Sequence, residues 1–236
     1  MSAHTIVITG ASSGIGEALA LRLASRGASL VLVGRNEESI LSVSERCAAS
    51  GITVKNIIGD ITVPATVSAV KGACQQLPPL SGLVNNAGFG AFGESYSFSR
   101  QTFLSLLDTN LLAPFELSRA LLPLLLRNAD SGNVATIVNI GSDAGLKGFE
   151  QAAAYCASKG GLHLMGSALR AEWRSLGIRV TTVAPGRVDT CFNNKKPGMR
   201  PGALSAEATA EVIEFCLYCD PVLELSEIHL DSMIRG

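Results

Sequence analysis

The sequence predicts a single doubly wound α/β domain, Rossmann-like, with a seven-stranded, mostly parallel sheet and helices on both faces. Three observations predict it. Short β-branched runs alternate with longer helical patterns along the chain, which is the signature of stacked βαβ units. Most of the strand runs are apolar without strict alternation, as expected when helices cover both faces of a sheet. Finally, 236 residues with 47% hydrophobic and 17% charged content suit one large core, so one domain spanning 1–236 is expected.

The strands are placed at Thr5 to Thr9, Leu30 to Val33, Thr53 to Ile58, Gly82 to Asn85, Ala135 to Ile140, Arg179 to Ala184 and Glu227 to Leu230. Helical patterns fill the gaps, over Gly14 to Ser25, Glu37 to Ala49, Val63 to Gln76, Ser99 to Asn128, Ala154 to Leu176 and Ala206 to Cys219. Thr62, ahead of Val63-Pro64, reads as an N-cap followed by a proline tolerated in the first turn. The helix over Ser99 to Asn128 carries Phe103, Leu104, Leu107, Leu111, Leu112, Phe115, Leu117 and Leu121 on more than one face. It is therefore expected to pack on the sheet and against a partner subunit, with Pro114 and Pro123 positioned to kink it.

Charge and cysteine usage exclude several function classes. Nineteen Lys plus Arg against twenty Asp plus Glu give a net charge of −1, which leaves no electrostatic footprint for nucleic acid or an anionic membrane. Six scattered cysteines lack the density of a disulfide scaffold and suit a reducing compartment. No basic leader or cleavage site opens the chain, and the Leu124-Leu125-Leu126 cluster falls far short of the roughly 20 residues of a bilayer span. A cytoplasmic protein is expected, acting through a site rather than a charged surface.

Thr9-Gly10-Ala11-Ser12-Ser13-Gly14-Ile15-Gly16 follows the first strand and opens the first helix. Glycines there permit a tight turn and let backbone N–H groups approach a pyrophosphate, while the helix N-terminus offers unpaired donors and a favourable dipole. A dinucleotide is the expected guest, and a tight turn without a ligand is the bland alternative. The Gly-x3-Gly-x-Gly spacing departs from the general G-x-G-x-x-G fingerprint.

With this turn the chain resembles the short-chain dehydrogenase/reductase family. The resemblance runs in family order through Asn85-Asn86-Ala87-Gly88, Asn110, Ser142, Tyr155-x-x-x-Lys159 and Pro185-Gly186-x-Val188-x-Thr190, and covers nearly the whole length. It implies a nicotinamide cofactor cradled by Gly10, Ser12, Ser13, Gly14, Ile15 and Gly16. In such folds an acid after the second strand receives the ribose hydroxyls, whereas an arginine accommodates a 2′-phosphate. This chain has Gly34 in the acid's place, followed by Arg35, so NADP(H) is expected, with Ser12 or Asn36 assisting. An ordinary exposed cation is the alternative for Arg35. Asp60-Ile61 resembles the family's adenine clasp, though Asp60 equally suits a helix start. Asn86, Ala87 and Gly88 fit either a cofactor contact or a sheet tie, and Pro185, Gly186, Val188 and Thr190 resemble the segment that holds the carboxamide.

Tyr155 and Lys159 share one helix face, being four residues apart. Bringing the phenol from about 10 to about 7 requires roughly 4 kcal/mol, and an ammonium about 4 Å away at an effective dielectric near 20 supplies about that much. By resemblance Tyr155 is the general acid/base and Lys159 lowers its pKa and binds the nicotinamide ribose. Ser142 would hydrogen-bond the substrate carbonyl, and Asn110 would hold a water continuing the proton relay. A short substrate lid is expected near 191–205, whose Lys195, Lys196 and Arg200 either recruit an anionic substrate or only solubilise a loop.

Cys216-x-x-Cys219 has metal-pair spacing, but no second pair or nearby histidine follows, so no metal is expected. His163 follows Lys159 by one turn, which puts it within reach of the site, with a core or interface histidine as the favoured reading. The expected function is interconversion of a carbonyl compound and its alcohol with NADP(H), in a homodimer or homotetramer without nucleic-acid or membrane partners. The alternative is a non-catalytic dinucleotide-binding sensor or scaffold of the same fold. A sugar-nucleotide epimerase shares Tyr-x-x-x-Lys but usually has a larger C-terminal region.

Overall fold

The computed structural model describes residues 4–129, 132–194 and 196–234. Seven strands, β1 (Thr5–Thr9), β2 (Ser29–Gly34), β3 (Val54–Ile58), β4 (Leu80–Asn85), β5 (Ala135–Ile140), β6 (Ile178–Pro185) and β7 (Glu227–Leu230), form one sheet in the order β3-β2-β1-β4-β5-β6-β7. Every pairing is parallel, so the expected mostly parallel sheet is wholly so. The single Rossmann-like domain is as the sequence predicts.

The helices are α1 (Gly14–Ser25), α2 (Glu37–Ala48), α3 (Pro64–Cys74), α4 (Arg100–Leu107), α5 (Ala113–Ala129), α6 (Ala153–Trp173) and α7 (Ala206–Tyr218). Successive residues of a strand point to opposite faces, and here both faces are buried. Ile6 and Ile8 of β1 and Leu30 and Leu32 of β2 pack with α1, α2 and α7. Val7, Val31 and Val33 pack on the opposite side with α3, α5 and α6. That double cover is why the strand runs read as continuously apolar.

Two local expectations are corrected. The single helix expected over Ser99 to Asn128 is interrupted, because one π-helical turn over Asp108–Leu112 separates α4 from α5. Such turns are single insertions that occur often at functional sites, and this one delivers the Asn110 side chain inward, where it is 1% exposed. Pro123 sits inside α5. Thr62 is not an N-cap either. Val63 occupies that position with Pro64 in the first turn, while the Thr62 backbone N–H and hydroxyl both donate to Asp60 Oδ1.

The order of the strands reverses between β1 and β4, since chain progress runs outward to β3 on one side and to β7 on the other. Open parallel sheets bind ligands outside the carboxyl ends of strands at such a switch point. The loops that follow β1, β2, β4, β5 and β6 all meet there.

Candidate active site

A cleft of about 810 Å³ opens at the switch point, within the range of small-molecule sites. Its walls carry Gly10, Ser12, Ser13, Gly14 and Ile15 after β1, Arg35 after β2, and Asp60 and Ile61 after β3. Asn86, Ala87 and Gly88 follow β4, Ser142 follows β5, and Tyr155 and Lys159 rise from α6. Pro185, Gly186, Val188 and Thr190 close the far side.

The first turn brings backbone close to its neighbours at two glycines. Gly10 and Gly14 have φ of +63° and +58°, a region costly for other residues. A Cβ on Gly10 would lie 2.9 Å from Ala87 Cα, and one on Gly14 3.0 Å from a Thr190 methyl carbon. Ser13 caps α1 without a side-chain hydrogen bond, so the helix's first N–H groups face the cleft as an anion cradle. The residues present thus fit a dinucleotide pyrophosphate.

Two expected contacts fall elsewhere. Gly16 is buried beneath the turn, where a Cβ would lie 2.3 Å from the Gly10 carbonyl oxygen; its role is to let helix and turn touch. Asn36 caps α2, its side chain accepting the Ser39 N–H at 2.9 Å. Both are therefore absent from the cleft wall as the described residues form it. Asn86 lines the cleft, yet its amide donates to the Thr9 and Gly10 carbonyls at 2.9 and 3.0 Å, which makes it the clamp of the glycine turn. Thr9 Oγ1 completes the tie by accepting the Asn86 and Ala87 N–H groups.

Arg35 is open to solvent at the cleft's edge, with its guanidinium 3.8 Å from Asp60 Oδ2. Hydrogen bonds from Thr62, above all its backbone N–H, hold the Asp60 carboxyl below its ordinary range despite partial burial, and Arg35 adds to this. Gly34 provides close approach: a Cβ there would lie 2.8 Å from Ile40 Cδ1.

At the other end of the cleft, Ser142 Oγ caps the short turn Asp143–Gly145, accepting the Ala144 N–H at 3.1 Å and donating to Asp143 Oδ1 at 3.1 Å. It lies close enough to the Tyr155 hydroxyl to favour the phenolate there. Lys159 is 5% exposed and donates to the Ile140 carbonyl oxygen at 2.7 Å. Burial pushes its pKa down to about 8. Gly88 brings the loop after β4 against this group, since a Cβ there would stand 3.0 Å from Asn110 Oδ1 and 3.6 Å from Lys159 Nζ.

Against the expected lowering, the surroundings of Tyr155 in this arrangement act to raise its pKa. Burial pushes the phenol up to about 12; the Ser142 hydroxyl opposes the shift, while the Asp143 carboxylate adds to it. Lys159 Nζ is engaged by the Ile140 carbonyl, and desolvation dominates the phenol. The Asn110 side chain is taken up within the chain, its Nδ2 donating to the Phe89 carbonyl and Ser158 Oγ while its Oδ1 accepts the Phe89 N–H.

Several participants escaped the sequence. The Tyr155 ring sits between Phe92 and Phe192, with centroids 5.5 and 6.1 Å away. With Phe89, Phe149, Ala144 and Ala152 they make this end of the cleft apolar. Arg200, expected either to recruit an anionic substrate or to solubilise a loop, donates to the Val188, Thr190 and Phe192 carbonyls and so staples the segment expected as a lid. Lys196 is exposed, and Lys195 lies outside the described residues. His163 accepts the Ser142 N–H at 3.3 Å, directly behind the site. Only the apolar run Phe89 to Phe92 and the spacing from Lys159 to His163 hinted at any of these.

Among the described residues, no group of three His, Cys, Asp or Glu could hold a metal, and no helix is long and apolar enough to cross a membrane. Cys216 and Cys219 are buried free thiols.

Comparison with known proteins agrees with the fold. The 2-(S)-hydroxypropyl-CoM dehydrogenase 3 of Xanthobacter autotrophicus is 33% identical over 214 residues, 89% of this chain and 78% of that protein. An alcohol dehydrogenase from Thermococcus sibiricus, solved with 5-hydroxy-NADP, superposes with a TM-score of 0.92 at 25% identity, covering 100% of this chain and 99% of that one. A 3-ketoacyl-(acyl-carrier-protein) reductase from Brucella melitensis, solved with NADH, superposes with a TM-score of 0.88 at 25% identity, covering 97% and 96%. The model of the short chain dehydrogenase family matches residues 4–200, and the chain belongs to that family of oxidoreductases.

Proposed function

We propose that the protein is an NADPH-dependent reductase that converts an uncharged, apolar ketone or aldehyde to its alcohol, with Tyr155 as proton donor. The observation that carries this reading is the meeting of Ser142, Tyr155 and Lys159 at one end of a cleft whose other end is the Gly10–Ile15 turn. The cofactor, when bound, supplies a hydride to the carbonyl carbon. Backbone donors at the start of α1 and the stretch from Pro185 to Thr190 would hold it, with Ile61 at the adenine and Lys159 at the ribose.

The remaining work falls to side chains. Ser142 Oγ gives its one proton to Asp143 Oδ1 in this arrangement; turned from that carboxylate toward a substrate, it would join the Tyr155 hydroxyl in donating to a carbonyl oxygen and the alkoxide that develops there. A phenol raised to about 12 is fully protonated at neutral pH, which suits delivery of a proton to that oxygen. Lys159 Nζ, bonded to Ile140, stands one helical turn away as the next proton source. Asn110 orders the Phe89 loop that forms the pocket's edge. The aromatic walls and the Asp143 carboxylate disfavour an anionic substrate, and Arg200 has its guanidinium N–H groups turned to backbone carbonyls.

Preference for NADPH rests on Arg35 and on Gly34 where a competing acid would sit; the relatives solved with NADP and with NADH leave either cofactor within the family's reach. Self-association rests on α4, the π-helical turn, α5 and α6, where Leu104, Leu112, Phe115 and Leu164 are 40%, 47%, 37% and 75% exposed. Such a patch suits a second subunit, and a cytoplasmic setting suits the six free thiols of the chain. NADPH consumption across a panel of uncharged aryl and alkyl carbonyls tests the activity. Stoichiometric NADPH binding without turnover on the whole panel would favour the non-catalytic reading instead.

A further inference from the structure

Behind Ser142 lies a chain of titratable groups that the proposed reaction does not use. His163 projects from α6 with its side chain only 7% exposed. Its Nε2 accepts the Ser142 backbone N–H at 3.3 Å, and its Nδ1 stands 2.5 Å from Glu227 Oε1 on β7. Glu227 Oε2 in turn lies 3.4 Å from Nε2 of His229, which is open to solvent. The space for this imidazole is made by the glycines that flank the serine. A Cβ on Gly141 would lie 2.3 Å from His163 Nε2, and one on Gly145 2.7 Å from it.

We propose that His163, braced by Glu227, is a positioning residue that holds Ser142 against Tyr155, and that it does so only while its imidazole is neutral. The inference rests on Ser142 serving the carbonyl as described above. A neutral imidazole has one donor and one acceptor. The Glu227 carboxylate, 2.5 Å from Nδ1, electrostatically favours the proton on that nitrogen, which leaves on Nε2 the lone pair that the Ser142 N–H requires. Protonation places a hydrogen on Nε2 facing another N–H, so acceptor becomes donor and the bond is lost. Because Ser142 Oγ caps its own turn and touches Tyr155, a shift of that backbone moves the hydroxyl that meets the substrate.

The charged groups facing His163 are Lys159 on its own helix and Glu227 and His229 on β7. Thr182 of β6 and the glycines of the turn are uncharged neighbours, and the Asp143 carboxylate is turned toward Lys147, 3.6 Å away. Burial, aided by Lys159, holds the imidazole below its ordinary range against the pull of Glu227. The site is therefore set for neutral pH and disarmed in acid.

The test uses His163→Leu, His163→Gln and Ser142→Ala in the full-length protein. His163→Leu is expected to lower kcat by about 10²-fold, the scale of a small misplacement of a reacting group, with the NADPH KM unchanged. His163→Gln, whose Oε1 can accept the same N–H without titrating, should retain kcat within several-fold and lose the acid limb of the pH profile. In a Ser142→Ala background the leucine variant should cost nothing further, because the histidine acts through the serine. An acid limb that survives in His163→Gln, or a full leucine penalty without Ser142, overturns the proposal. The chain has only three histidines, so NMR can read the tautomer directly. A neutral His163 carrying Nδ1–H supports the proposal, and a doubly protonated one at neutral pH overturns it whatever the activity. A wild-type protein that binds NADPH yet reduces no carbonyl overturns the reading of the reaction instead.

Discussion

The Asn110 side chain holds Phe89 from both ends, accepting its N–H at 3.0 Å and donating to its carbonyl at 2.9 Å. A π-helical turn supplies the extra residue that aims Asn110 inward between two helices. The consequence is that a loop residue beside the aromatic wall is fixed by a helix, and so is the floor under Lys159. Asn110→Ala strands several polar partners and should cost about 2–3 kcal/mol, at roughly 1 kcal/mol or more for each lost partner. The midpoint of thermal unfolding should fall by about 5–10 °C. An unchanged midpoint would show that water replaces the amide.

Arg35 governs the choice of cofactor in this account. Arg35→Ala should raise the NADPH KM by roughly 10- to 100-fold, the value of one or two charge-assisted hydrogen bonds, and leave the NADH KM nearly unchanged. Steady-state kinetics with both cofactors check it. Equal losses would mean that the guanidinium serves the fold or the Asp60 carboxylate rather than a 2′-phosphate.

Much of the molecule was legible in the sequence because it repeats simple physical patterns. Strand and helix periodicity revealed the sheet, and glycines at the β1–α1 turn marked a place where backbone must come close to something. The four-residue spacing of Tyr155 and Lys159 put them on one face. The fate of polar groups in three dimensions was not legible. Asn110 and Asn36 look like ligand contacts until Phe89 and Ser39 claim their side chains. The direction of the Tyr155 shift depends on how deeply the ring is buried, which spacing does not carry. His163 lacked any nearby sequence partner, since Glu227 arrives from a strand far along the chain.

Lys159 should trade stability for function. Its folded pKa of about 8 lies below the ordinary 10.5, so the unfolded chain holds this proton more tightly. Below pH 8 both states are protonated and the penalty is fully present; it is relieved as pH rises from 8 toward 10.5. Lys159→Met should therefore unfold at a higher temperature at pH 7 by an amount worth about 1–3 kcal/mol while losing turnover. The stability gap between the two proteins should narrow by pH 10. A variant less stable than the parent at both pH values would show that the bond to Ile140 outweighs desolvation.

A phenol pushed up to about 12 also gives the two directions different pH dependences. Carbonyl reduction needs the protonated hydroxyl and gains no pH dependence from Tyr155 between pH 7 and 9, so any fall there follows Lys159, whose pKa lies at about 8. Alcohol oxidation needs the phenolate and should rise by about tenfold per pH unit over the same range. Initial rates in both directions across that range check this, and a flat oxidation profile would count against Tyr155 as the titrating base.

Tyr155→Phe removes one oxygen from a ring already wedged between Phe92 and Phe192, and so tests the chemistry with little change in packing. Single-turnover NADPH oxidation by this variant, on whichever carbonyl the parent reduces best, should fall by at least about 10²-fold, the contribution of a positioned proton donor. NADPH binding, followed by its fluorescence, should remain. Turnover at the parental rate with cofactor still bound would contradict the assignment of Tyr155 as the proton donor.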